Sequence, residues 1–455
     1  MMPEIQVIEA KWLLPISPRA DSVLTDHSLV IEAGRIRALM PQAQARAAYP
    51  DAHFIVRPHH VLMPGLINFH CHAAMTLLRG LGDDLPLQRW LGDCIWPTEA
   101  ALVSDPFVFD GSVLACHEML LGGITCFNDM YFFPEATIRA AQAYGMRIVA
   151  GITVIDLPTR YAKQADEYLA QGLAIHERWQ ETATVHFSLA PHAPYTVSDA
   201  VYQRLGTLAE TLDLPIHTHL HETEAELTTS MQQYGCRPLE RLARLGLLSP
   251  RLIAVHGVHF TSAELAQLAT AGAHLAHCPS SNLKLASGLP ALAAWQATGI
   301  NFGLGTDGAA SNNRLDLWAE LRLAALLAKG VSGDPTAGSA ASVLEAATLG
   351  AARALGLDEQ IGSLAGGKAA DCLCIDLGQL QSQPCYDIPS HLVYVCGREQ
   401  VSDVWVAGQH VVNQQQITLN SALTARQQCL ASLETWQIAV KQAQGGNRQS
   451  LGDSF

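Results

Sequence analysis

The sequence predicts an α/β fold: a (β/α)8 TIM-like barrel accompanied by a small β-sandwich domain formed from both chain ends. Three observations carry that expectation. The middle of the chain alternates strand-like hydrophobic runs with helical patterns, the signature of a parallel sheet with crossover helices. Eight such runs can be counted, most of them ending in His, Asp, Glu or Asn, and barrels of this type place their chemistry at the C-terminal ends of the strands. The length of 455 residues exceeds the roughly 250 of one barrel, which leaves room for a second, smaller unit.

The N-terminal part, 1–61, reads as β structure. Ser28 to Glu32, the tight turn Ala33-Gly34 and the run from Arg35 through Ile36 give strand, turn and strand. A partner lies near the other end, 359–415, where Ile361 to Asp371 leads into Cys372 to Asp376 and Val404 to Gly408 precedes another short strand. The barrel is expected over 62–358. Its first strand is the apolar stretch Leu62 to His72, which ends in His70-Cys71-His72. Side chains on a strand repeat direction every second residue, so His70 and His72 point to one side and Cys71 away from them.

The remaining barrel strands are expected at Ile124 to Met130, Arg147 to Val154, Val185 to Pro191, Pro215 to Leu220, Leu252 to Val255, Ala273 to Cys278 and Ile300 to Gly305. They deliver Asn128 and Asp129, His192, His217/His219/His221 with Glu222, His256, the loop Ser280 to Lys284, and Thr306-Asp307-Gly308. Between the first two strands, 79–121 is too long for one helix. It is read as a cover over the barrel mouth, carrying Trp90, Trp96 and Glu99. Asn313 to Lys329 and Ser339 to Leu355 read as amphipathic helices against the barrel. The segment 416–455 reads as a last helix, from Ala422 to about Gln444, with a loose tail from Gly445.

Composition narrows the functional classes. A hydrophobic fraction of 49% with 15% charged residues describes a well-packed globule. The formal charge of −14, without a lysine or arginine run, disfavours nucleic acid polymers and anionic membranes, so a small-molecule partner is expected. No signal-like or membrane-length apolar segment is evident, and the eleven scattered cysteines include no CxxC pair, which suits reduced, buried thiols in a cytoplasmic protein.

The chemistry concentrates in His70, His72, one strand-five histidine and Asp307. Three neutral nitrogens and one carboxylate suit zinc, with related divalent metals as alternatives. Period alone leaves His217, His219 and His221 equivalent, since all three share one face of an ideal strand.

Pro64 to His72, His219-Leu220-His221-Glu222, His256, Thr306-Asp307-Gly308 and Ile361 to Asp371 together resemble the amidohydrolase superfamily, in order and over nearly the whole chain. That resemblance implies His70, His72, His219 and Asp307 as ligands of one divalent ion. Two-metal members use a modified lysine after strand four, where this chain has Pro191-His192-Ala193-Pro194. The spacing of His219 and Glu222 is similar to that of the aminohydrolase branch, which removes an amino group from a ring. There a cation lowers the pKa of water towards neutrality, Glu222 carries a proton to the ring nitrogen, Asp307 takes one from the water and helps pass it to departing ammonia, and His256 orients or polarises the water.

Trp90-Leu91, Ile95 to Glu99 and Pro191 to Tyr195 resemble the 5′-methylthioadenosine/S-adenosylhomocysteine deaminases. The likeness implies that Glu99 holds the ribose hydroxyls and that His192 contacts the nucleoside. Arg160, on the loop after strand three, is a candidate to reach the 5′ substituent or a homocysteine carboxylate, and Trp90 and Trp96 either line the purine or thioether pocket or pack the cover. A homodimer is plausible for that family. Deamination of a free base such as guanine, or triazine hydrolysis, would use the same metal centre without a ribose to hold. A noncatalytic barrel that serves as a binding module is the alternative of another class.

Overall fold

The computed structural model describes the backbone of residues 5–452 and side chains up to residue 444. Sixteen strands form two sheets. In chain order they are β1 (Ile5–Leu13), β2 (Leu24–Glu32), β3 (Arg35–Pro41), β4 (His53–Pro64), β5 (Leu66–Cys71), β6 (Ile124–Asp129), β7 (Arg147–Val154), β8 (Val185–Pro191), β9 (Ile216–Leu220), β10 (Leu252–His256), β11 (His274–His277), β12 (Phe302–Leu304), β13 (Cys372–Asp376), β14 (Val401–Val406), β15 (Gln409–Asn413) and β16 (Gln416–Ile417).

Strands β5 to β12 follow one another in space as they do in sequence, all parallel, and make the barrel. Seven of them, β6 to β12, lie within a residue or two of the runs expected from the sequence. Their β-branched and aliphatic side chains are buried almost throughout, as parallel strands between helices require. At the seam between β12 and β5, Asp307 N donates to the His70 carbonyl at 3.0 Å. A Cβ at Gly305 would lie 2.8 Å from His70 N, so glycine lets the last strand approach the first closely enough to bring Asp307 beside His70.

The other eight strands make one mixed sheet in the order β16-β15-β14-β13-β4-β1-β2-β3. Long β4 joins its halves by pairing parallel with β1 and antiparallel with β13. The sheet folds over its own core, where Ile8, Leu29 and Ile31 from the N-terminal strands meet Cys372, Cys374 and Trp405 from the C-terminal ones. The stretch Leu62 to His72 therefore differs from its sequence reading as one strand: Leu62 to Pro64 belong to this sheet, and the barrel strand begins at Leu66. Gly65 makes the crossing, since a Cβ there would lie 2.1 Å from Thr125 Oγ1. The buried pair of Arg147 on β7 and Asp371 just before β13, Nε to Oδ2 at 3.1 Å, ties the barrel to the sheet.

The cover over the C-terminal ends of the barrel strands is built of short pieces, Leu87–Arg89, a π turn at Trp90–Ile95 and Trp96–Leu102, after which the longer helix Asp105–Leu121 leads back to the start of β6. The last helix, Asn420–Gly452, runs across them. Gln444 Nε2 donates to the Cys94 carbonyl at 2.9 Å and to Thr98 Oγ1 at 2.6 Å, and Trp436 Nε1 donates to Asp110 Oδ2 at 2.8 Å. Its backbone continues to Gly452, past the Gly445 at which a loose tail is expected from the sequence; residues 453–455 lie outside the described residues. Among the described residues, no helix is long and apolar enough to cross a membrane.

Candidate active site and metal centre

Four side chains converge at the C-terminal ends of β5, β9 and β12. One ligand atom from each of His70, His72, His219 and Asp307 lies within 4.8 Å of all the others. Asp307 Oδ1 stands 3.2 Å from His70 Nε2 and 3.1 Å from His72 Nε2. Each imidazole is aimed by its other nitrogen. His72 Nδ1 donates to the Met130 carbonyl at 2.6 Å, His219 Nδ1 donates to the His192 carbonyl at 2.7 Å, and His70 Nδ1 lies 2.9 Å from His217 Nε2.

That pattern leaves the Nε2 atoms for a shared guest, and His70 Nε2 is buried without a hydrogen-bond partner. Metal-ligating histidines are oriented in this way, through a bond from the nitrogen that does not ligate. Burial pushes His70 down to about 4 and His219 well below the usual imidazole range, so both offer neutral donors. Against its own burial, His72 is held up to about 9 by Asp307, a positive charge whose place a bound cation would take. The donor set fits a divalent metal.

The opposite oxygen of Asp307 is also committed. Ser281 Oγ donates to Oδ2 at 2.6 Å and Ser311 Oγ at 2.7 Å. His256 is aimed similarly, its Nδ1 lying 2.9 Å from Asn282 Oδ1. The loop after β11 thus holds two reactive groups in place. Nothing local in the sequence marks Ser311, which meets Asp307 through the turn of a short helix, Ala309–Asn312.

The equivalence of the strand-five histidines is broken by backbone geometry. His217 and His219 face the barrel interior as period two requires, but β9 ends at Leu220 and His221 has φ +56. His221 turns away, accepts the Leu239 N–H at its Nε2 and stacks on Phe260. His256 and Asp307 likewise adopt φ of +72 and +58, a left-handed conformation that costs about 1–3 kcal/mol in non-glycine residues and clusters at functional sites.

Glu222 follows the turn at His221. Glu226 accepts the N–H groups of both, His221 N to Oε1 at 2.9 Å and Glu222 N to Oε2 at 2.8 Å, and so fixes the backbone that presents Glu222. Its Oε1 lies 3.9 Å from His256 Nε2, and burial raises the Glu222 carboxyl above its ordinary range. Favouring the acid form in this way suits the carboxyl to carrying a proton.

These groups open onto a cavity of about 290 Å³, lined by His72, His219, Glu222, His256 and Asp307 at one end and by Trp90, Ile95, Trp96, Glu99, Leu157 and Arg160 at the other, with His192 between. The structure therefore brings every site residue expected from the sequence to one place, with His70 behind the wall. Tyr131, absent from that expectation, donates its hydroxyl to Glu99 Oε1 at 2.6 Å. Arg160 donates to the Ala101 carbonyl, two residues beyond Glu99 on the same helix. Trp96 is 40% exposed, so it forms the rim, whereas Trp90 is buried in the cover.

The sequence pattern of the amidohydrolase family matches residues 61–411. A 5-methylthioadenosine/S-adenosylhomocysteine deaminase from Teredinibacter turnerae is 45% identical over 430 residues, 94% of this chain and 96% of that one. A zinc-bound adenosine deaminase from Xanthomonas campestris is 46% identical with a TM-score of 0.93, over 97% of this chain and 99% of that one. A triazine hydrolase variant is 25% identical with a TM-score of 0.87, over 94% and 99% of the two chains.

Proposed function

The chain belongs to the amidohydrolase family and is a hydrolytic deaminase, and from that premise we propose that it acts on adenine nucleosides, 5′-methylthioadenosine and S-adenosylhomocysteine foremost and adenosine as a third, with one zinc ion held by His70, His72, His219 and Asp307. The products are the inosine form and ammonia. The observation that carries the reading is that a carboxylate able to receive a diol, Glu99, lines the same cavity as Glu222, His256 and the donor cluster. A free base or a triazine has no hydroxyl pair for it.

A divalent cation in the cluster supplies a Lewis acid that makes water a competent nucleophile near neutral pH. The remaining work falls to side chains. His256, kept in orientation by Asn282, aligns the water for attack on the ring carbon that bears the amino group. Asp307 takes a proton from that water. Attack pushes an electron pair onto the adjacent ring nitrogen, and Glu222 delivers the proton that this nitrogen needs. The carbon–nitrogen bond then breaks as the proton held on Asp307 passes to the departing amine and the hydroxyl proton of the adduct returns to Glu222, so ammonia leaves, the ring keeps the oxygen as a carbonyl and both carboxyl groups regain their starting state. Glu99 holds the ribose hydroxyls, His192 contacts the nucleoside, and Arg160 with Trp96 flank the 5′ substituent.

The test is an ultraviolet assay of zinc-loaded protein with 5′-methylthioadenosine, S-adenosylhomocysteine, adenosine, guanine and a triazine. Conversion of the adenine nucleosides to their inosine forms is expected. Turnover confined to guanine or the triazine would refute the reading of Glu99, and silence on all five would refute the reaction.

A further inference from the structure

Three successive residues at the end of β6 each secure a different part of the site. Asp129 Oδ1 accepts the Ala73 N–H at 2.7 Å and so holds the turn that follows His72. The Met130 carbonyl accepts from His72 Nδ1, and the Tyr131 hydroxyl donates to Glu99 Oε1. The Tyr131 ring is buried, 6.5 Å from the His72 ring and 5.6 Å from that of Phe132. Among the described residues, Tyr131 is the hydrogen-bond donor to the Glu99 carboxylate. The helix bearing Glu99 is otherwise tied to the C-terminal helix through Gln444 and Thr98.

From this geometry we propose that Tyr131 is a positioning residue that sets specificity: its phenol holds Glu99 in the pose that receives a ribose diol, and so fixes the preference for ribonucleosides over dideoxynucleosides. The inference rests on the reading of Glu99 given above. A carboxylate has about four lone-pair sites, so the one that Tyr131 occupies leaves room for both hydroxyls of a ribose. The phenol also favours the acceptor form of Glu99: burial pushes the carboxyl up to about 7 even with the Tyr131 bond working in the opposite direction. A protonated Glu99 would lose acceptor capacity for the diol. Because Met130 and Tyr131 are consecutive, the same short segment that aims a metal-facing imidazole also sets where the sugar is gripped, which couples the position of His72 to that of Glu99.

The experiment compares zinc-loaded wild type with Tyr131→Phe, Glu99→Gln and the double variant, using adenosine and 2′,3′-dideoxyadenosine, with metal content and thermal melting measured alongside. For Tyr131→Phe the KM for adenosine is expected to rise about tenfold with kcat within about twofold, while the kinetics with the dideoxynucleoside stay unchanged. In the Glu99→Gln background the same substitution is expected to have no further effect on the ratio of the two substrates. A wild-type ratio in Tyr131→Phe, with the ratio lost in Glu99→Gln, would overturn the role of Tyr131 and leave Glu99 in place. Retention of the ratio in Glu99→Gln as well would overturn both. A parallel loss on both substrates, or an undiminished effect in the double variant, would show that the phenol supports the site without setting its specificity.

Discussion

Replacing Ser281 and Ser311 together by alanine is expected to weaken divalent-metal binding by between about 10-fold and 10²-fold, through the oxygen of Asp307 that does not face the metal site. Both hydroxyls donate to Asp307 Oδ2, at 2.6 and 2.7 Å, while Oδ1 faces His70 and His72 at 3.2 and 3.1 Å. A hydrogen bond to a charged group contributes about 1.5–3 kcal/mol, which is roughly tenfold to a hundredfold in a binding constant. Two effects oppose each other. Losing the donors makes the carboxylate more basic and a stronger ligand, whereas losing its anchor lets it rotate away from the histidines. Orientation is expected to win, because partners of this kind typically contribute about 10–100-fold to metal affinity. Each single variant is expected to lose about tenfold, and the double variant less than the product, since both bonds act on one oxygen. Chelator competition with zinc reads the affinity directly. A double variant that binds zinc as the wild type does would refute the clamp.

Glu222→Gln supplies the complementary case: it removes a proton carrier but no donor of the cluster, so zinc affinity is expected to hold while kcat falls by about 10²–10⁴. Near-normal turnover in the zinc-loaded variant would remove Glu222 from the reaction. Asp403 gives a pH signature in the sheet domain. Against its burial, Arg57, His410 and Ser402 hold the Asp403 carboxyl well below the usual range. A folded-state pKa below the unfolded value contributes stability that is fully present above the unfolded pKa and is lost as pH falls through the folded one. Asp403→Asn should therefore lower stability by about 3–5 kcal/mol at pH 7, with the gap to wild type narrowing below about pH 4 in denaturant titrations. A gap that does not change with pH would contradict the assignment.

Legibility in the sequence followed the range of the interactions concerned. Strand periodicity placed His70, His72 and His219 on inward faces, because side-chain direction along a strand is a local property. It stopped being informative at His221, where φ turns positive and the chain leaves the ladder. The crossing at Gly65 was hidden for a related reason: apolar residues on both sides continue without a break, and only the approach of Thr125 from β6 shows that the chain changes sheet there. Tyr131, Ser311 and the tie from Gln444 carry no local signal, because their partners lie 32, 4 and 346 residues away and even the short separation is bridged by a turn.

By itself the sequence determined the barrel, the pairing of its β-rich ends in one further sheet, and the chemical identity of the groups at the strand ends. Those depend on hydrophobic period, on residue type and on order along the chain. Only the tertiary structure decided which nitrogen of each histidine faces the common centre, which oxygen of Asp307 is clamped, and that Tyr131 holds Glu99. These are choices among rotamers and lone pairs. They are made by hydrogen-bond partners on other strands, which come within reach only once β12 has closed against β5 and the cover has settled over the mouth.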